Sequence, residues 1–270
     1  MGRTPKLSLA LWTTVASVGA AACGSSDTLG QLADAPPGTP IDASPSGPIA
    51  VVPATLTATA TCGATDPPPV TLMIENSGMR DLELRSATAD GGFTVTTALP
   101  ATIAPGAKLA LAIAPPLAVI GTDRGGTAKT GTLTLTTNEP ASATHTVDLT
   151  ANILGANVDF VDQSGKAVAL FLTGTSGACP APQAVFIRNS GTEPVTLGAA
   201  SASSFGFAGF SGGTIAAGAM VSQDVRVVTQ AACISSDMIS YQVTGTACTG
   251  AIAVLNGAYN ISGASSCFCS

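Results

Sequence analysis

An internal repeat limits what this chain can become more than any other feature. The run Val70-Thr71-Leu72-Met73-Ile74-Glu75-Asn76-Ser77-Gly78 returns as Ala184-Val185-Phe186-Ile187-Arg188-Asn189-Ser190-Gly191. Farther along, Thr102-Ile103-Ala104-Pro105-Gly106-Ala107 returns as Thr214-Ile215-Ala216-Ala217-Gly218-Ala219, and the two offsets, 113 and 112 residues, nearly agree. Near-constant spacing over a hundred residues describes two copies of one domain, and short linear motifs do not produce it. Each copy consists of brief alternating runs separated by turn residues. In the first, Val70, Leu72 and Ile74 alternate with Thr71, Met73 and Glu75, and Leu109, Leu111 and Ile113 with Ala110 and Ala112. Leu133 and Leu135 stand between threonines, and Val147 and Leu149 close the series before Gly155. Period-two alternation buries one face of a strand and leaves the other, here rich in threonine, to solvent. About seven such strands per copy predict an all-β chain of two tandem immunoglobulin-like sandwiches. The Asn-Ser-Gly triplets and Pro105-Gly106 are expected to supply the left-handed positions of tight turns.

Composition agrees with strands. Charged residues are only 10% and aromatics 4% of the 270 residues, with 30 Gly and 18 Pro spread throughout. Such a mixture favours short strands over long helices. The formal net charge is −6, and Arg80, Arg85, Arg124, Lys129, Arg188 and Arg226 are dispersed without interleaved aromatics. Binding a phosphate backbone needs clustered cations, so nucleic acid is excluded as a partner.

The first residues read as an address. Arg3 and Lys6 precede the apolar run Leu7 to Ala22, which ends in small residues before Cys23. This is the plan of a secretory signal peptide over 1–22; the run is short and alanine-rich for a membrane span. Residues 23–48 lack apolar periodicity and carry Pro36, Pro37, Pro40, Pro45 and Pro48 among Gly, Ser and Asp. A segment of that kind buries too little to offset its ordering entropy and is expected to act as a disordered linker. Two sandwich domains are then expected over 49–155 and 156–270.

Two resemblances follow from these residues. The Ala20-Ala21-Ala22-Cys23 junction resembles a bacterial lipoprotein lipobox, with Ala20 where that family carries Leu. It implies an acylated Cys23 and anchoring to a membrane of the bacterial cell envelope; the other reading is ordinary cleavage that leaves a plain thiol and a secreted protein. The order of alternating strand, Asn-x-Gly, Leu82-Glu83-Leu84, Ile103-Ala104-Pro105-Gly106, Gly131-Thr132-Leu133-Thr134-Leu135-Thr136-Thr137-Asn138-Glu139-Pro140 and Val147-Asp148-Leu149 is similar to abnormal-spindle/hydin (ASH) domains and to bacterial choice-of-anchor D repeats. The first copy matches over 50–153 and the second to about Val228. That resemblance implies a structural or adhesive module with no catalytic site and no cofactor, whose partner is an unknown protein or glycan. The stretch Ile120 to Thr127 departs from the pattern and is expected to be a flexible loop.

Seven cysteines remain to be placed: Cys23, Cys62, Cys179, Cys233, Cys248, Cys267 and Cys269. With Cys23 acylated, six are left, an even set in an exported chain, which favours disulfides. A zinc site has no companion cysteine pair at suitable spacing and a single histidine, His145, so no metal is expected. An immunoglobulin-like strand order places Cys62, read as the start of the second strand of its sandwich, near Cys248 between the last two strands of the other. The expectation is a Cys62–Cys248 bridge between domains. Cys179 and Cys233 are expected to pair with the tail cysteines Cys267 and Cys269 or with each other.

Three features imitate catalytic or metal sites. Gly209-Phe210-Ser211-Gly212-Gly213 fits the hydrolase pattern Gly-x-Ser-x-Gly, but that chemistry needs a strand-to-helix elbow and a nearby histidine. No helix follows Ser211, and His145 belongs to the other copy at a strand start, where a rim position is expected. Asp159 and Asp162 flank a turn with Gly165, without the dense oxygen donors of a calcium loop. The chain reads as a non-enzymatic binding protein, with a hydrolase using Ser211 as the least favoured reading.

Overall fold

Large apolar side chains at every second position dictate the layers of this molecule. The computed structural model describes residues 47–175, 179–228 and 233–262. In the first copy a four-stranded sheet runs in the order β1 (Ala50–Val51), β3 (Val70–Asn76), β7 (Lys108–Ala114), β5 (Thr94–Val95). The other sheet has five strands: β2 (Thr55–Thr61), β9 (Thr144–Leu154), β8 (Ala128–Thr137), β4 (Leu82–Ala89), β6 (Ala101–Ile103). The second copy repeats this order strand for strand. Its four-stranded sheet is β10 (Val158–Val161), β12 (Gln183–Asn189), β16 (Met220–Val227), β14 (Phe205–Gly209). Its five-stranded sheet is β11 (Leu170–Thr175), β18 (Ile252–Ser262), β17 (Ile234–Thr244), β13 (Val195–Leu197), β15 (Gly213–Ile215). All pairings are antiparallel except β2 with β9 and β11 with β18. Two immunoglobulin-like sandwiches result, as expected, and no helix occurs among the described residues.

Each sandwich has its own core. Leu72, Ile74, Leu111 and Ile113 from one sheet meet Leu82, Leu84, Leu133, Leu135, Val147 and Leu149 from the other, all buried. The second core is built alike from Val185, Ile187, Val225, Leu197 and Ile239, with aromatic filling added. Tyr259 meets Phe205 edge-on at 5.9 Å, and Tyr241 lies 5.6 Å from Phe160. Burial pushes the Tyr241 phenol up to about 12, so it stays neutral. Each fully buried Leu, Ile or Val removes enough apolar surface to stabilise by roughly 1.5–3 kcal/mol.

The repeated Asn-Ser-Gly triplet has a role other than the expected left-handed turn. Neither Gly78 nor Gly191 has a positive φ. Asn76 is fully buried and uses its whole amide. Nδ2 donates to the Arg80 and Ile103 carbonyls, both at 2.8 Å, and Oδ1 accepts from Gly78 N at 3.0 Å and Ile49 N at 3.4 Å. Asn189 does the same with the Glu193 and Ile215 carbonyls and with Gly191 N and Asn157 N. The glycine is required by close approach: a Cβ on Gly78 would lie 2.2 Å from the Gly47 carbonyl, and one on Gly191 2.2 Å from that of Gly155. Gly106 and Gly218, in the other repeated motif, do carry positive φ, at 73° and 75°. Their N–H groups donate to the Asn76 and Asn189 carbonyls, both at 2.8 Å. The two repeated motifs therefore meet at one asparagine in each sandwich.

The stretch Ile120–Thr127 is no free loop. Asp123 closes it on itself, accepting from Val119 N and pairing with Lys129 Nζ at 2.7 Å. Burial would raise the Asp123 pKa, but the hydrogen bonds from Lys129 and Val119 and the Lys129 charge outweigh that and hold it below the usual carboxylate range. The loop then docks on the second sandwich. Gly121 N donates to the Cys248 carbonyl at 2.7 Å, and Gly125 exchanges two hydrogen bonds with the buried Asn157 amide. Arg124 Nη2 reaches both carboxylate oxygens of Asp159 at 2.7 Å. Together these contacts make a joint between the two sandwiches.

Candidate functional site

The predicted site residues sort by their place in this frame. Cys62 and Cys248 are disulfide-bonded across the joint, with Cα atoms 5.2 Å apart and a sequence separation of 186. Cys62 does not start a strand as expected: it follows the end of β2, where its N–H donates to the Leu154 carbonyl. Cys179 and Cys233 each take part in a disulfide as well. Cys23, Cys267 and Cys269, like the signal peptide and all but the end of the linker, lie outside the described residues.

The features that imitate catalysis are separated. Ser211 sits exposed in the loop from β14 to β15, with strand on both sides and no elbow into a helix. His145 is on β9 of the other sandwich, half-buried at the rim as expected, and its Nε2 lies 2.5 Å from Glu139 Oε2. Glu139 also accepts from Ala50 N at 2.8 Å and from the Thr137 hydroxyl, so the histidine belongs to a clamp on the first strand. Asp159 faces Arg124 and the Ser190 hydroxyl. Asp162 turns the other way and gathers Ser164 N, Ser164 Oγ and Lys166 N around Oδ1. The Ser164 hydroxyl and then the Lys166 N–H are the main reasons its carboxyl titrates below the usual range. The two carboxylates do not converge.

One surface remains with chemistry in excess of what the fold needs. On the outer face of the first sandwich's five-stranded sheet, every outward position of β2 is a threonine: Thr55, Thr57, Thr59 and Thr61. β8 contributes Thr130, Thr132, Thr134 and Thr136, and β9 contributes Thr144, Thr146 and Thr150, with Asp148 and Asn152 in the same line. Register aligns them in rows across the strands. Thr57, Thr150 and Thr130 form one, Thr55, Asp148 and Thr132 the next, and Thr146, Thr134 and Thr88 a third. Neighbours stand about 4.8 Å apart across strands and about 6.7 Å along them. β-Branching suits threonine to this surface, and cross-strand Thr pairs add a few tenths of a kcal/mol each. None of these hydroxyls has a partner within the described residues. The result is a neutral grid of hydroxyl and methyl groups broken by a single charge, Asp148.

No protein-family model matches the chain, and no curated protein does. Solved structures resemble it at low scores. A Porphyromonas gingivalis W83 protein of unknown function is 12% identical, with 78% of this chain and 99% of that one covered and a TM-score of 0.32. The Pseudomonas aeruginosa CupB2 chaperone is 12% identical, with 77% and 99% covered and a TM-score of 0.28. The Escherichia coli chaperone DraB is 10% identical, with 79% and 98% covered and a TM-score of 0.29. The candidate site therefore rests on the chain's own residues.

The equivalent face of the second sandwich differs. Phe171 on β11, Ile234 and Met238 on β17, and Ile252 and Val254 on β18 are exposed there among Ser, Asn and Gln. Duplication preserved the strand order and the asparagine hub while the outer faces diverged. Periodicity in single strands points to threonine-rich faces. Only the parallel pairing of β2 with β9 reveals that three threonine strands lie side by side.

Proposed function

We propose that this chain is a non-enzymatic interaction module of the bacterial cell envelope, of the ASH and choice-of-anchor D kind, which offers the threonine face of its first sandwich to a protein or glycan. In this reading residues 1–22 are a signal peptide, Cys23 carries lipid, and 23–48 is the tether. The two binding domains are 49–155 and 156–270. The observation that carries the reading is the grid of uncommitted threonine hydroxyls on β2, β9 and β8. Hydroxyls and methyls in alternation suit a partner that is itself rich in hydroxyl groups and apolar faces, as sugar rings are. The cross-linked joint supports it by holding that face on a stiff platform, which reduces the ordering entropy of binding.

Binding of the mature protein to purified glycans and to its host's envelope fraction tests the face. Thr130→Lys with Thr150→Lys places two ammonium groups in one row and is expected to weaken binding roughly tenfold or more, as loss of a central contact does. Thr71→Lys, on the outer face of the four-stranded sheet, is expected to bind like the parent. Equal binding by both variants would remove the threonine face from the reading. Intact mass and detergent partitioning of native protein separate the anchored form from the secreted alternative. Acyl mass on a chain beginning at Cys23 is expected.

A further inference from the structure

We infer that a cavity on the side of the second sandwich binds a carboxylate carried on a short apolar stem. The cavity measures about 590 Å³ and lies where the chain crosses from β10, in one sheet, to β11, in the other. That volume falls within the range of small-molecule sites. It exists because this crossing is longer than its counterpart. In the first sandwich the equivalent run goes from Ala50 to Leu56, and in the second from Val158 to Leu170. The added residues form the turn held by Asp162.

Apolar walls come from Phe160, Val168 and Val254, and polar groups are few: Arg188, Asn256 and Asp159. Asp159 is already engaged by Arg124, so its charge is compensated. Arg188 has no ion pair or hydrogen bond among the described residues. The repeat shows what is unusual in that. Glu75 holds the corresponding place on β3, and its cross-strand neighbour Lys108 pairs with it at 3.0 Å. Arg188 instead faces Met220 on β16 and Asp159 on β10, and the Asp159 carboxylate is taken by Arg124 and the Ser190 hydroxyl, so the Arg188 cation is left for a ligand. A guanidinium presents a planar fork that matches a carboxylate bidentately. The stretch of β18 from Ile252 to Asn256 adds backbone polarity. β11 pairs with β18 only from Gly257 onward, so the cavity lies where a neighbouring strand would run. Such an edge can also accept the amide groups of a peptide. Two sources carry this chemistry: a free branched organic acid and the C-terminal carboxylate of a peptide.

Nitrogen–proton NMR of the isotope-labelled protein reads the site directly. The probes are 4-methylpentanoate and acetyl-Val-Val-Val, each compared with its carboxamide. Both carboxylates are expected to shift the Arg188 side-chain resonance and the amides of Phe160, Val168 and Val254 in a saturable way. The carboxamides are expected to bind at least about tenfold more weakly. Arg188→Gln is expected to impose the same loss and Arg188→Lys a smaller one; Arg188 is exposed and unpartnered, so both variants keep the fold. Val254→Trp, which fills the mouth, is expected to abolish the shifts with Arg188 intact. A tighter tripeptide assigns the site to peptide termini, and a tighter free acid assigns it to small acids. Absence of saturable shifts from either carboxylate, equal binding of acid and amide, or full binding by Arg188→Gln would each overturn the inference. None of these outcomes depends on the threonine face of the other sandwich.

Discussion

Asn76 and Asn189 show how much one side chain can organise. Each is buried, and each fills all four hydrogen-bonding positions of its amide with backbone groups from three separate segments. Removing the amide strands those groups in an apolar interior, where each unsatisfied group costs about 1–3 kcal/mol. Asn189→Ala is therefore expected to lose about 2–4 kcal/mol of stability in urea denaturation. The glycines beside these hubs fail for different reasons. Gly78→Ala drives a methyl into the Gly47 carbonyl and is expected to cost more than about 2 kcal/mol, because two backbone segments must part. Gly106→Ala meets nothing within 4 Å and suffers only from its φ of 73°, so about 1 kcal/mol is expected. Equal losses at the two glycines would contradict the distinction between close approach and backbone conformation.

Carboxylates tie separate elements together in both sandwiches, Glu139 in the first and Asp237 in the second. Asp237, on β17, accepts from Ser203 N, Ser203 Oγ and Ser204 N, fixing the turn that leads into β14. Burial opposes its ionisation, yet the Ser204 N–H, the Ser203 groups and Met238 N–H prevail and hold its pKa below the ordinary value. A carboxylate with a lowered folded-state pKa stabilises the fold above its unfolded value of about 4 and loses that contribution as pH falls through the folded value. Asp237→Asn is thus expected to be less stable than the parent at pH 7, with the gap closing as pH drops below about 4. A gap independent of pH in denaturant midpoints would show that the charge is not what matters there. Most of the long strands are legible in the sequence itself. β3, β7, β8 and β9 alternate plainly, and their buried sides are Leu72 and Ile74, Leu111 and Ile113, Leu133 and Leu135, Val147 and Leu149. The two-residue strands β1 and β5 are not legible, because two residues carry no period. The threonine face is half legible: alternation names the outward residues, but register between strands decides which become neighbours. The cavity beside Arg188 is not legible at all, since it depends on where the β10-to-β11 crossing lies against β18 and on what stands opposite Arg188, both facts of pairing between distant segments.

At the scale of the molecule, the joint decides whether the two sandwiches act as one body. Three kinds of bond cross it: the Cys62–Cys248 disulfide, backbone and amide hydrogen bonds from Gly121 to Cys248 and between Gly125 and Asn157, and the Arg124–Asp159 pair. They are unequal. Arg124 and Asp159 are partly exposed, so their attraction is screened and contributes at most about 1 kcal/mol. The Gly125–Asn157 bonds are buried, and a Cβ on Gly125 would lie 1.8 Å from the Gly155 carbonyl, so the approach tolerates no side chain. The disulfide closes a loop of 186 residues, and the chain-entropy account assigns such a closure on the order of 5 kcal/mol. Replacing both cysteines in Cys62→Ser with Cys248→Ser is therefore expected to leave two intact sandwiches that no longer melt together. Calorimetry should show the parent unfolding in one transition and the double variant in two, while the β-sheet circular dichroism of both stays the same. Arg124→Ala alone should keep the single transition with a midpoint shifted by a few degrees at most. If the double variant still melts in one step, the buried hydrogen bonds hold the joint without the cross-link. If Arg124→Ala splits the transition, the ion pair has been undervalued and the exposed side of the joint controls the coupling.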